Sequence, residues 1–251
     1  MNKKYKLTKN EIFYGGKRLF QIQALHDFKN TRYEELDIDA MYETRNDGKY
    51  GFIHKDDLGG FIEKEENLSQ DGDAWVSQNA KVYDNARIFG DAFVSGNANI
   101  YGDSQIYDNA CVCGDASIFN GKSRIYGNAK VKDYAGIQGN VQIYGNALIA
   151  GNADIRGNAQ VYGDTAIYDR AWVDDNAQVC GNARVSGDSG IHGELKLESG
   201  HCLATIRKKD SLIKEIDNGN EILVIEEKAL SENVTNKENI IQAWKKKNGK
   251  S

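Results

Sequence analysis

The sequence predicts an all-β rod, a parallel β-helix with a small cap at each end. Three observations carry this expectation. Aliphatic residues recur at every sixth position through the middle of the chain, and a small residue precedes most of them by two places. The 251 residues also include 26 glycines and no proline. Gly without Pro describes a chain that turns often through left-handed corners while its backbone N–H groups are needed for hydrogen bonding.

The elements follow in chain order. Residues 4–25, KYKLTKNEIFYGGKRLFQIQAL, alternate like two strands about a turn at Gly15-Gly16. Residues 54–76, HKDDLGGFIEKEENLSQDGDAWV, read as an irregular first coil with Ile62 and Leu68 as its inward anchors. Regular anchors then fall at Val76, Val82, Ile88, Val94, Ile100, Ile106, Val112 and Ile118. After one extra residue near FNGKS (119–123) they resume at Ile125 and continue every six residues to Leu197. The unit is A-x-V-x-G-N. In A-x-V the small residue and the anchor share the inner face and the middle residue points out. Gly two places past the anchor, as at Gly90, Gly96, Gly145 and Gly151, suits a left-handed corner, and the Asn or Asp that follows tolerates tight turns. Strands this short between corners this regular cannot form hairpins; they wind into coils stacked about 4.8 Å apart. Beyond the rod, residues 201–226 read as two or three strands with a turn at Asn218-Gly219. Residues 236–249 read as a short helix from an Asn236 N-cap to a stop at Gly249. The expected division is an N-terminal β cap over 1–61, the repeat over 62–198, and a C-terminal strand-plus-helix cap over 199–251.

These hexads resemble those of the hexapeptide-repeat proteins, over roughly residues 62–198. That resemblance implies a left-handed, three-sided prism with three hexads per coil. The 21 anchors from Val76 to Leu197 then give about seven coils and a rod about 34 Å long. The stretch DLGGFIE…NLS followed by GNA hexads also resembles β-helix proteins common in bacteriophages and prophages. Those are often labelled transferases from fold alone, and they bring no catalytic residue to carry over.

Composition narrows the function classes. The formal charge of −5 and pI of about 5.5 give no general attraction to nucleic acid or anionic membrane. MNKKYKLTKNEIFYGG has basic residues without an apolar stretch behind them, so no signal peptide is expected. No apolar run reaches membrane-spanning length. Cys111, Cys113, Cys180 and Cys202 lack C-x-x-C spacing, which fits a reduced cytoplasmic compartment.

Many hexapeptide-repeat proteins are acyltransferases with a His general base. The repeat contains only His192, at the corner after Ile191; His54 and His201 lie outside the regular coils, as does His26. These are weak catalytic candidates, and a solvated corner residue is the plainer reading of His192. Three convergent metal-binding histidines are absent from the pattern, so neither a metal nor a cofactor is expected. Cys111 and Cys113 flank Val112 and point outward; two adjacent thiols could hold a soft metal across an interface, but unbonded surface cysteines are the plainer reading. The glycines follow the six-residue turn period, without nucleotide-binding spacing.

The outward positions say more. Residues one coil apart stack, which aligns Phe89, Tyr107, Tyr126, Tyr144 and Tyr162 in one column and Tyr83, Tyr101 and Phe119 in another. Such columns serve either as sheet-stabilising ladders, at about 0.2–1 kcal/mol per pair, or as recognition surfaces. The leading expectation is a non-enzymatic, phage-type binding protein. Its expected partners are a host protein, a defence component included, or a small ligand. Its expected state is a homodimer or homotrimer centred on Tyr126 and Tyr144. An acyltransferase with an inter-subunit site is the alternative, and a virion or scaffold component the second.

Overall fold

The computed structural model describes residues 3–30 and 52–202. The chain opens with an antiparallel hairpin, β1 (Tyr5–Tyr14) and β2 (Lys17–Ala24), which turns at Gly15 and Gly16, both at positive φ. A short ribbon pairs β3 (Phe28–Lys29) with β4 (Phe52–Ile53), and β5 (Leu58–Ile62) starts the coil. From Trp75 onward, strands of two to four residues wind around three faces.

The first face is a ten-stranded sheet that begins β1-β2-β5 and continues as parallel strands to Gly190–Ile191. The second holds seven parallel strands, from Arg87–Ile88 to Lys196–Leu197. The third holds eight, from Trp75–Val76 to His201–Cys202. The solenoid is therefore about one coil longer than the hexad count gives. The strand His201–Cys202 pairs in parallel with Arg184–Val185, but Cys202 follows Leu197 by five residues, so the six-residue period passes over it. The strands and helix expected across 203–249 lie outside the described residues.

Inside, the anchors and small residues meet. Ala147, Ile149, Ala153, Ile155, Ala159 and Val161 are all fully buried, at roughly 1.5–3 kcal/mol for each large aliphatic side chain. Ile62 and Leu68 are buried as the first coil's anchors. Leu68 makes only an isolated bridge to Ile88, because a 3-10 turn at Glu65–Asn67 replaces a strand there.

The corners obey a rule finer than the hexad. Where the left-handed residue is not Gly it is mostly Asp: Asp84, Asp108, Asp133, Asp169 and Asp175 all have positive φ. Each carboxylate accepts the backbone N–H of a glycine one coil above, as at Gly151 to Asp133 (2.9 Å) and Gly187 to Asp169 (3.0 Å). The following position forms amide rows: Asn79 donates to Asn97, which donates to Asp115; Asn128 donates to Asn146, which donates to Asp164. A carboxylate accepts without donating and so ends such a row. The one-residue insertion ends at Gly121, where a Cβ would come within 1.9 Å of the Gly139 carbonyl oxygen.

Each coil's N–H groups donate to the carbonyls of the coil above, as Trp75 N to Ala92 O and Lys81 N to Ala98 O, both 2.9 Å. The first coil therefore ends in a row of carbonyls, which must find donors. The N-terminal segment supplies them from side chains. Lys4 Nζ reaches Gly72 O (2.9 Å) and Ala74 O (2.8 Å), and Tyr5 Oη reaches Leu68 O (2.6 Å). Asn30 Nδ2 donates to Asp73 O (2.7 Å) and Gln21 Nε2 to Gly59 O (3.0 Å). Where the 3-10 turn leaves the second face without a first strand, Asn67 Nδ2 donates to Ala86 O (2.8 Å).

Candidate functional site

The second face positions the main candidate surface. Its anchors Ile88, Ile106, Ile125, Ile143 and Val161 point into the core, so the residue after each stands at the corner toward the third face. Phe89, Tyr107, Tyr126, Tyr144 and Tyr162 stack there at centroid separations of 4.8–5.0 Å with interplanar angles of 2–8°. All five rings are half-buried. Their faces cover one another, so edges and hydroxyls are what meet solvent. Burial raises the phenol pKa of Tyr107 and Tyr126, with the neighbouring rings adding to it at Tyr126. At the top of the column Tyr162 is raised first by its hydrogen bond with the Cys180 thiol.

Between the corners the outward residues of this face form a row that the sequence reading passed over: Gln105, Arg124, Gln142, Gln160 and Gln178, with Arg87 below and Lys196 above. The signal was available, since Gln142, Gln160 and Gln178 are 18 residues apart. The opposite corner carries Tyr83, Tyr101 and Phe119, stacked at 4.9 and 5.8 Å. Tyr83 is not open to solvent as an outward residue would be. The hairpin tip lies against it, with Tyr14 edge-on at 6.2 Å, and it is 5% exposed. Burial pushes its phenol up to about 12. At the foot of the second face an open groove of about 850 Å³ is lined by Lys64, Glu66, Arg87, Phe89 and Gln105 among others.

The three histidines do not converge. His54 belongs to the N-terminal segment, stacked on Phe52 at 6.3 Å, and its backbone N–H is bonded to Asp57 Oδ2. His192 is half-buried rather than solvated. Trp172 Nε1 donates to its Nε2 at 2.6 Å, and its Nδ1 lies 2.5 Å from Asp174 Oδ1. The indole N–H therefore occupies the Nε2 lone pair. The Trp172 indole lies so close over Gly190 that a Cβ there would come within 2.2 Å of it. His201, on the third face, has Nε2 2.7 Å from Ser186 Oγ and 3.4 Å from Tyr168 Oη. A Ser–His contact is the germ of a nucleophile-and-base pair, but Ser186 is buried. Trp172, Asp174 and Ser186 were not singled out in the sequence, because their roles depend on residues in the next coil.

The cysteines also differ from expectation. Cys111 points outward yet is buried, in a third-face column above Trp75 and Phe93, which are buried too. Phe28 of the N-terminal ribbon packs edge-on against Trp75 at 5.3 Å. Cys113 is partly exposed, and its thiol pKa is lowered first by the neighbouring Cys111 thiol, against the effect of burial; Lys132 and Lys130 add to the lowering and Asp133 opposes it.

A family described as the YdcK beta solenoid repeat matches residues 141–157 and 177–193. This is a β-solenoid repeat protein. The matched stretches cover consecutive strands of the coil, including Gln142, Tyr144 and Gln178 of the second face. No curated protein matches the chain. Among the described residues no helix is long and apolar enough to cross a membrane, and no three His, Cys, Asp or Glu side chains are grouped to hold a metal ion.

Proposed function

We propose that this protein is a non-enzymatic recognition module whose second face, with its tyrosine corner, is the docking surface. One observation carries the reading: an unbroken polar row, Gln142-Gln160-Gln178, runs beside the stacked edges of Tyr126, Tyr144 and Tyr162 on a rigid ladder. Tyr and Gln present donors and acceptors at a fixed coil spacing, and a prepaid rigid surface loses little entropy on binding. The engaged Nε2 of His192 and the separation of the three histidines favour this reading over acyl transfer.

A second copy of the chain is the first occupant proposed, in a dimer or trimer with Tyr126 and Tyr144 near the centre. The resemblance of the DLGGFIE…NLS stretch and the GNA hexads after it to phage-borne β-helix proteins makes a host protein the next. The test pairs light scattering of the full chain with the same measurement on a Gln142→Glu, Gln160→Glu variant. The expected result is an oligomer that the variant loses while its circular dichroism is unchanged. A monomeric parent that turns over an acyl–coenzyme A donor, with loss of turnover in His192→Ala, would transfer the assignment to enzyme.

A further inference from the structure

We propose that Cys111 and Cys113 form a two-thiolate site for a soft monovalent cation of the cuprous type. The two residues bracket Val112, whose side chain is fully buried in the core, so alternation along the strand puts both sulfurs on the outer side. Thiolates are the soft ligands that select Cu(I). With no third His, Cys, Asp or Glu grouped with them among the described residues, the pair suits a cation content with two ligands better than zinc, which takes four.

Charge points the same way. Two thiolates around a monovalent cation leave one net negative charge. Lys130 pairs directly above Cys111 across the sheet, and Lys132 takes the Cys113 corner position in that next coil, with Asp133 beside it as the opposing charge. Loading is an exchange without redox change: two thiol protons leave as two S–Cu bonds form. Buried Cys111 shields the bound ion, while partly exposed Cys113 gives it an entrance.

The column positions supply conservative variants. Serine occupies the Cys113 corner in other coils, at Ser77, Ser95 and Ser186, and alanine the Cys111 position at Ala166. Cys113→Ser and Cys111→Ala should therefore keep the fold. The full chain, reduced and anaerobic, is titrated with Cu(I) against a chromophoric chelator. The expected result is one equivalent bound, with affinity falling at least ~100-fold in either variant and unchanged in Cys180→Ser. In parallel, bound Cu(I) should protect Cys113 of the parent protein from alkylation, a readout that holds even if a variant misfolds. Failure of the parent to compete, Cu(I) binding retained in both folded variants, or alkylation of Cys113 unaffected by Cu(I) would overturn the proposal.

Discussion

Replacing Lys4 by Met tests the idea that side chains cap the carbonyl end of the solenoid. The residue is 3% exposed, and its amine donates to Gly72 O and Ala74 O. Burial lowers its pKa from 10.5 to about 8, against the opposing pull of Asp73, Asp71 and Asp91. Between those values the unfolded chain holds more of this proton than the native state does. Stability therefore rises with pH across that window, is fully gained above the unfolded value, and is lost as pH falls through about 8. One proton per pH unit is about 1.4 kcal/mol, so the native protein should gain about 2 kcal/mol between pH 7.5 and 9.5 from this group. Methionine has a similar length and no titration. It strands two carbonyls but also removes a buried charge, and these effects oppose each other near neutrality. The assay is urea unfolding by circular dichroism, parent and variant side by side at both pH values. The stability gap should move by about 2 kcal/mol in favour of the parent at the higher pH. A gap that stays constant across the window would refute the reasoning, since the amine would then titrate alike in both states.

Gly190→Ala drives a Cβ into the Trp172 indole and should cost about 1–3 kcal/mol, with a shift in tryptophan emission as the contact with His192 breaks. Tyr126→Ser with Tyr144→Ser removes three stacked pairs and should lower stability by roughly 1–3 kcal/mol, alongside any loss of mass in light scattering. Tyr5, Tyr83, Tyr101, Tyr107 and Tyr126 all have raised phenol pKa values, burial first among the causes. Their stabilisation is present below pH 10 and lost as pH climbs through the folded values. Part of the absorbance of the 13 tyrosines should therefore appear in alkali only together with loss of strand signal; full tyrosinate absorbance developed near pH 10 on an intact fold would contradict the burial.

What the sequence determined by itself is the part of the molecule that repeats. The six-residue period assigns Ala147, Ile149 and their equivalents to the interior, because a strand can point only alternate residues inward. The three-hexad coil then aligns Tyr107, Tyr126 and Tyr144 as neighbours whatever their environment. The hairpin about Gly15-Gly16 was legible for a similar reason, being local. Tertiary structure decided everything that joins the repeat to something outside its period. Trp75, Phe93 and Cys111 occupy outward positions and are nevertheless buried, at the foot of the face on which the N-terminal ribbon packs. Tyr83 is covered by a hairpin tip far away in the chain. His192 reads as an open corner residue until Trp172 and Asp174 come up against it from the coil below. The donors Lys4, Tyr5 and Asn30 carry no pattern at all. They are fixed by the requirement that the first coil's carbonyls, facing no coil beneath them, be hydrogen-bonded by whatever the chain can fold back against them.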